Sequence, residues 1–473
     1  MKYRNRFLAV ISGLLLAASF APFGAGGLAW LALAPLFYAV LDTGGMVAAA
    51  RLGALAGLVF YSVSLVWMTT VVHYLAIVFW GVFALWLALH AAVIRGLWDL
   101  ARKRGGGPWS ALAWAASSGV VWAGIEYFRS ELWPLACPWL GIGYSQMYSP
   151  PALQSLSVWG VYGLSAFIVA ANSAWALAPR KLRLPAGFFL AALILVTAWG
   201  KHRLAVLPAE NGTPVKVALV QAERADIDKL AKLSLTPEAA AADLLVWPEC
   251  SVMMPAADSP DYVALIAKRL RPSKAEAVIG VCVDANKARG IKRANFTLVL
   301  GRDKKTLGVY NKMHPVQFVE TGLPENKTPA PVATPLGRLG PQICYDLAFE
   351  DGTRKMTAQG AQLLIVPTLD PMEWSEWQHR QHSDMSAARA VEAGLWLVRS
   401  ASSGYSQVID RLGYVRAELA TGKEGALTAA VYVGDGGTFY TRAGWLFAPF
   451  AFAFALAAAA WLALCAFRAG KPT

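Results

Sequence analysis

Long stretches of this chain carry almost no charge: residues 1–200 and 443–467 are nearly continuous apolar runs broken by short connections. A bilayer core of roughly 30 Å asks for about 20 apolar residues per helical crossing, and fewer where flanking residues snorkel. Eight segments meet that requirement, two of them short, at residues 7–22, 28–41, 52–69, 75–97, 111–125, 153–177, 185–199 and 445–467. The first follows MKYRNRF and reads at its start like a signal peptide. It continues into SFAPFG without a convincing small-residue cleavage site, which favours a retained first helix.

Composition agrees with a membrane class. Of 473 residues, 56% are hydrophobic and 15% charged, with 19 Trp, too apolar for an ordinary soluble chain of this length. The net charge of +13 raises the question of nucleic acid, but no basic helix or aromatic-basic interleaving tracks a phosphate backbone. Much of the basic excess instead sits beside the apolar segments, where it sets orientation. Lys2, Arg4 and Arg6 precede the first segment; Arg102, Lys103 and Arg104 fill the fourth connection; Arg180, Lys181 and Arg183 fill the sixth; Arg468 and Lys471 lie in the tail. The first and third connections have no Lys or Arg, and the fifth sets Arg129 against Glu126 and Glu131. Both termini are therefore expected in the cytoplasm, with the region after the seventh helix outside.

That region has another texture. Short strand-like runs recur: VKVALV from Val215, LLVW from Leu244, AVIGVCV from Ala277, FTLVL from Phe296, PQIC from Pro341, LLIVP from Leu363 and LWLVRS from Leu395. Amphipathic stretches at residues 262–270 and 374–392 fall between them, so the expectation is a layered α/β domain. The division is residues 1–200 as a helical membrane region, 201–440 as an extracytoplasmic domain, and 441–473 as a last membrane helix with a cytoplasmic tail.

Three segments place a reactive residue at the end of a strand, where α/β folds commonly build their sites. They are LLVWPEC with Glu249, GVYNKMHPVQFVE with Lys312, and GPQICYD with Cys344. A carboxylate to take a proton, an ammonium to hold an oxyanion and a thiol to attack are what acyl transfer through a thioester requires.

In order and context, the PE, YNKMH and CYD segments resemble the nitrilase superfamily. Joined to membrane helices, the pattern resembles the apolipoprotein N-acyltransferase family, bacterial enzymes that complete lipoproteins. The likeness extends over nearly the whole chain: SFAPFG and LAWLALAPL near the start, PWLGIGYSQ from Pro138, GVYGLSAFIV from Gly160, KMHPV at Lys312, ICYD at Ile343, ARAVEAGLWLVRSASSG from Ala388, and TFYTRAG from Thr438. The resemblance implies a nitrilase-type αββα sandwich beside a multi-pass helical region, in a bacterial cytoplasmic membrane with the catalytic domain on the periplasmic side. It implies that Cys344 takes an acyl chain from a phospholipid and passes it to the N-terminal amine of a diacylated apolipoprotein. Glu249 would be general base and then acid, and Lys312 would steady the oxyanion with the Tyr345 N–H. Glu320 would be a second acid near the thiol. No cofactor or metal is implied, and a monomer in the lipid bilayer is expected.

Some residues depart from that family. ALVQAERADIDKL puts Glu223 and Arg224 where the acyltransferases have QGN, HPVQFVE replaces HPVPFGE, and CYDLAFED looks more like the soluble amidases. Cys344 follows Lys312 by only 32 residues, which implies a reduced arm over the site. These features favour a rival reading, a membrane-tethered amidase; a transporter with an idle domain is a third, opposed by the intact trio. Cys250, Cys282 and Cys465 read as packing residues, and five cysteines without regular spacing indicate no disulfide framework. His314 either orients the site or makes a structural hydrogen bond. His379 and His382, three apart on one helix, lack a third metal ligand nearby in sequence. Glu126 and Arg129 would pair with each other or touch a lipid headgroup, and pairing is preferred.

Overall fold

A computed structural model of the chain describes residues 2–103, 105–254, 259–285, 292–317, 319–323, 326 and 328–469; Arg104, Lys471 and Phe318 lie outside them. The chain divides into two compact units, Met1–Arg203 with Ala443–Thr473, and Leu204–Arg442.

The first unit is helical: α1 (Lys2–Ala18), α2 (Ala34–Leu41), α3 (Met46–Ser64), α4 (Leu75–Lys103), α5 (Pro108–Tyr127), α6 (Leu156–Leu177), α7 (Leu184–Val206) and a closing helix at Phe447–Ala469. Among the described residues, five helices, Met46–Ser64, Leu75–Lys103, Leu156–Arg180, Leu184–Val206 and Gly444–Arg468, are long and apolar enough to cross a membrane. Small residues let them approach closely, as membrane helices require where no water drives association. A Cβ on Gly57 of α3 would sit 2.8 Å from the Ala84 Cα of α4. Asn172 of α6 caps the start of α2, accepting from the Leu33 and Ala34 N–H groups at 2.8 and 3.0 Å. Glu126 and Arg129 attract each other as expected, but through space and not by a direct ion-pair contact. Glu126 accepts from Trp122, Ser165 and the Ile142 N–H, while Arg129 donates to the Trp139 carbonyl. The backbone turn at Ile142 brings a donor that sequence spacing does not reveal.

The second unit holds two sheets. The first contains β1 (Thr213–Gln221), β2 (Leu244–Val246), β3 (Val252–Met254), β4 (Glu276–Val283), β5 (Ala294–Leu300), β6 (Thr306–Asn311) and β13 (Gly425–Val433). Its order is β13-β1-β2-β4-β5-β6, with β3 rejoining the far end of β4. The second sheet runs β12-β11-β10-β9-β8-β7, from β7 (Val332–Thr334), β8 (Gly337–Pro341), β9 (Leu363–Thr368), β10 (Leu397–Ala401), β11 (Ser406–Ile409) and β12 (Val415–Leu419).

Alternation along the strands explains the layering, because successive side chains point to opposite faces. Val217 and Leu219 of β1 join Leu363 and Ile365 of β9 in a core between the sheets, while Ala218 and Val220 face outward. The outward face of the first sheet packs on α8 (Ile227–Ser234) and α9 (Ser259–Leu270), through Leu230, Ile266 and Leu270. On the other side, Leu364 and Val366 of β9 pack on α10 (Glu350–Ala358) and α11 (Glu376–Ala393), through Met356 and Ala390. The result is the expected αββα sandwich. Strands buried on both faces read as unbroken apolar runs, and every residue of β4 is buried.

Candidate active site

Cys344 follows β8 and opens a short 3-10 turn, Cys344–Ala348, with its own backbone at φ 49°. A residue with a Cβ seldom adopts that left-handed conformation unless its surroundings impose it. Asp346 imposes it. Its fully buried carboxylate accepts from the N–H groups of Ile343, Met313 and His314 at 2.9, 3.0 and 2.6 Å, and from the Tyr310 hydroxyl at 2.9 Å. One side chain so ties the thiol's turn to the loop after β6 that carries Lys312.

Glu249 lies beyond the end of β2, 3% exposed. One carboxylate oxygen accepts from the Lys312 ammonium at 2.7 Å and from the Asn295 amide at 2.7 Å; the other accepts from the Leu369 N–H at 2.8 Å. The carbonyl of that same Leu369 lies 3.7 Å from the Cys344 sulfur, which donates to it. A single residue beyond β9 thus touches the carboxylate through its N–H and the thiol through its carbonyl. Glu320 closes the group, 2.6 Å from the Lys312 ammonium and accepting from Asn295 at 2.8 Å.

The electrostatics follow from burial and neighbours. Burial works against the charge of Lys312, but Glu249, the Cys344 thiol and Glu320 outweigh it and hold the ammonium above its ordinary value. Burial and the charge of Glu249 push the Cys344 thiol well above its usual range, with Lys312 pulling the other way. At neutral pH the thiol therefore keeps its proton until a base removes it. A carboxylate held beside an ammonium and a thiol can do that work, and the ammonium can stabilise the oxyanion of an attacked carbonyl.

The remaining expectations fall out unevenly. Tyr345 is buried in the turn, its ring edge-on to Phe349. His314 stacks on Phe349 and meets Asp351 at 3.0 Å, which makes its ring a structural partner of α10. His379 binds Thr421 and the Pro371 carbonyl. His382, expected to lack companions, has two: ligand atoms of His382, Asp370 and Cys344 lie within 4.8 Å of one another. Asp370 meets His382 at 3.0 Å and also takes the buried Arg399 guanidinium, whose fixed positive charge opposes a cation there. Cys250 and Cys282 form a disulfide, because β3 rejoins β4 with Met253 opposite Cys282 and so brings Cys250 alongside. Sequence reasoning also passed over Asn295, Asp346 and the backbone of Leu369. Asp346 alone left a signal, as the last residue of the CYD segment.

A Glu–Lys–Cys cluster at strand ends of an αββα sandwich, carried by a chain with apolar membrane-length helices, defines a membrane-associated enzyme of the carbon-nitrogen hydrolase class. Residues 216–439 match the carbon-nitrogen hydrolase family profile, and residues 12–174 match that of the apolipoprotein N-acyltransferase N-terminal domain. The chain is 32% identical to an apolipoprotein N-acyltransferase of Geobacter metallireducens, over 94% of this chain and 92% of that one. It is 29% identical to one from Azotobacter vinelandii, over 93% and 91%. Among solved structures, an amidase from Nesterenkonia sp. is similar at 21% identity, covering 50% of this chain and 95% of that one with a TM-score of 0.41. The chain belongs to the apolipoprotein N-acyltransferase family.

Proposed function

We propose that Cys344 carries an acyl group between a phospholipid and the α-amine of a diacylglyceryl-cysteine lipoprotein. The observation that carries this reading is the convergence of Lys312 and Leu369 on Glu249, with the Leu369 carbonyl meeting the Cys344 thiol, in a chain of that family. Glu249 takes the thiol proton as sulfur attacks the ester carbonyl, and Lys312 with the Tyr345 N–H stabilises the oxyanion. The lysophospholipid leaves with the proton from Glu249. In the second half the amine attacks the thioester, Glu249 removes its proton, and the thiolate leaves and is reprotonated.

A transferase must protect its thioester from water until the amine arrives. Purified protein given phospholipid alone is therefore expected to accumulate one acyl mass on Cys344 by intact mass spectrometry, and to lose it on addition of a diacylated lipopeptide with a free α-amine. An unmodified Cys344 with ammonia released from small amides would replace the transferase with the amidase.

The same proposal places eight helices across the bacterial cytoplasmic membrane, with both termini inside and the sandwich outside. Alternating basic connections support it, as does the bonding of Asp42 to both Arg4 and Arg180, which gathers two of the basic segments at one end of the helical unit. The Cys250–Cys282 disulfide supports it independently, since such bonds persist in oxidising compartments. A reporter active only outside the cytoplasm should work when fused after Lys201 and stay silent after Arg104 or Arg183. The reverse pattern would invert the enzyme.

A further inference from the structure

We propose that Cys250 and Cys282 are positioning residues for the reaction: their disulfide fixes the turn that presents Glu249, so the carboxylate keeps its place between Lys312 and the thiol. The inference rests on the reading of Glu249 as the proton-transfer residue.

The turn is an excursion from the first sheet. Trp247 still donates to the Val278 carbonyl at 2.9 Å, and Val252 is again paired with Val281. Between them the chain crosses directly over Gly280, where an added Cβ would lie 2.1 Å from the Pro248 oxygen and 2.5 Å from the Glu249 Cα. The next residue, Cys250, turns back in the left-handed region at φ 49°. Two side-chain ties bring this excursion to β4: the Ser251 hydroxyl on the Gly280 carbonyl at 3.0 Å, and the disulfide to Cys282, with the Cα atoms 4.7 Å apart.

Both ends of the disulfide lead to Glu249. Cys250 follows it in the chain, so relaxation of Cys250 toward an ordinary φ would swing the peptide that aims the Glu249 side chain. Cys282 stands opposite Asn295 in the β4–β5 register, and Asn295 donates to Glu249 and to Glu320. A carboxylate held by bonds of 2.7 and 2.8 Å tolerates little displacement, and a misplacement of about 1 Å can cost about 10²-fold in rate. Opening the bond is ordinary thiol–disulfide exchange. One thiolate of an added dithiol attacks one sulfur, the other sulfur leaves and takes a proton, and the second thiol closes the reagent into a cyclic disulfide, leaving two protein thiols.

The test uses full-length protein in detergent micelles of a single diacyl phospholipid, at a temperature well below unfolding. The Cys250→Ala/Cys282→Ala variant is expected to acylate Cys344 about 10- to 100-fold more slowly than oxidised wild type, with the half-saturating phospholipid concentration unchanged. Its residual rate should climb with pH, because the buried thiol, faced by Glu249, Lys312, Asp370 and His382, must then give up its proton without a correctly placed Glu249. Wild type reduced with dithiothreitol, freed of reagent before lipid is added, should fall to the same rate and recover on reoxidation. A variant that acylates at the wild-type rate while only its unfolding temperature drops would overturn the proposal, and so would free thiols at both positions in the unreduced protein. Glu249→Gln, run in parallel, separates the two readings. If it retains full acylation, the role of Glu249 fails; if it is inactive while the double variant is fully active, only the positioning role of the disulfide fails.

Discussion

Cys344→Ala should leave no acyl adduct under conditions where the wild type accumulates one, while Cys344→Ser should acylate slower by on the order of 10³-fold or more, in line with losses seen when nucleophiles are replaced. The alanine removes the attacking atom; the serine keeps an attacking atom, but a hydroxyl gives up its proton far less readily than a thiol. Neither change should unfold the protein. The left-handed turn is set by Asp346 and its four donors, which remain, and deletion of one buried heavy atom costs about 1 kcal/mol. Cys137 and Cys465 supply the internal control: neither is in a disulfide, and both belong to the helical unit. An adduct of the same mass that persists in Cys344→Ala would move the chemistry to another residue and remove the basis of the proposed mechanism.

Glu249 and Cys344 are legible in the sequence because each follows an apolar run, and a reactive side chain directly after a buried strand is an unusual break in pattern; Lys312 follows the mostly exposed β6 and is marked only by the company of the other two. The sandwich was similarly readable from its interior strands, β1, β4, β9 and β10, whose burial on both faces writes itself as continuous hydrophobicity. Other strands were not, for reasons of exposure. β12, VRAEL, sits at a sheet edge with three of its five residues exposed, and β6 is interrupted by Gly308, so neither offers a run to recognise. What remained hidden in the site was contributed by pairing. Asn295 becomes important through its register opposite Cys282, and Cys250 meets Cys282 only because β3 returns to β4. Leu369 acts through its backbone, which no side-chain pattern can announce. Asp370, His382 and Arg399 come from the end of β9, from α11 and from β10, and their buried network exists only once those elements pack.

Removing the base while keeping the fold is the sharpest test of the division of labour. Glu249→Gln should slow formation of the acyl-enzyme by about 10²- to 10⁴-fold, the range general-base catalysis contributes. It should slow discharge to the amine as well, since the same carboxylate serves both halves. Lys312 keeps Glu320 at 2.6 Å, so its buried ammonium retains an anionic partner. The amide oxygen can still accept from Lys312 and Asn295, but its NH₂ then faces the Leu369 N–H, two donors with no acceptor, at a cost of about 1–3 kcal/mol. The variant should therefore be folded with a lowered unfolding temperature, and rates should be compared below it. The pH dependence carries the diagnosis. Burial and the Glu249 charge hold the thiol well above its usual range. Removing that charge lets the thiol ionise at lower pH than in the wild type, while burial continues to hold it up. Acylation by the variant then depends on the thiolate fraction alone, which rises about tenfold per pH unit below the thiol's pKa, so the deficit should shrink as pH increases. A Glu249→Gln protein that is equally slow at every pH between neutrality and the alkaline limit of folding would show that proton removal is not what Glu249 contributes, and would recast it as a partner that only holds Lys312 in place.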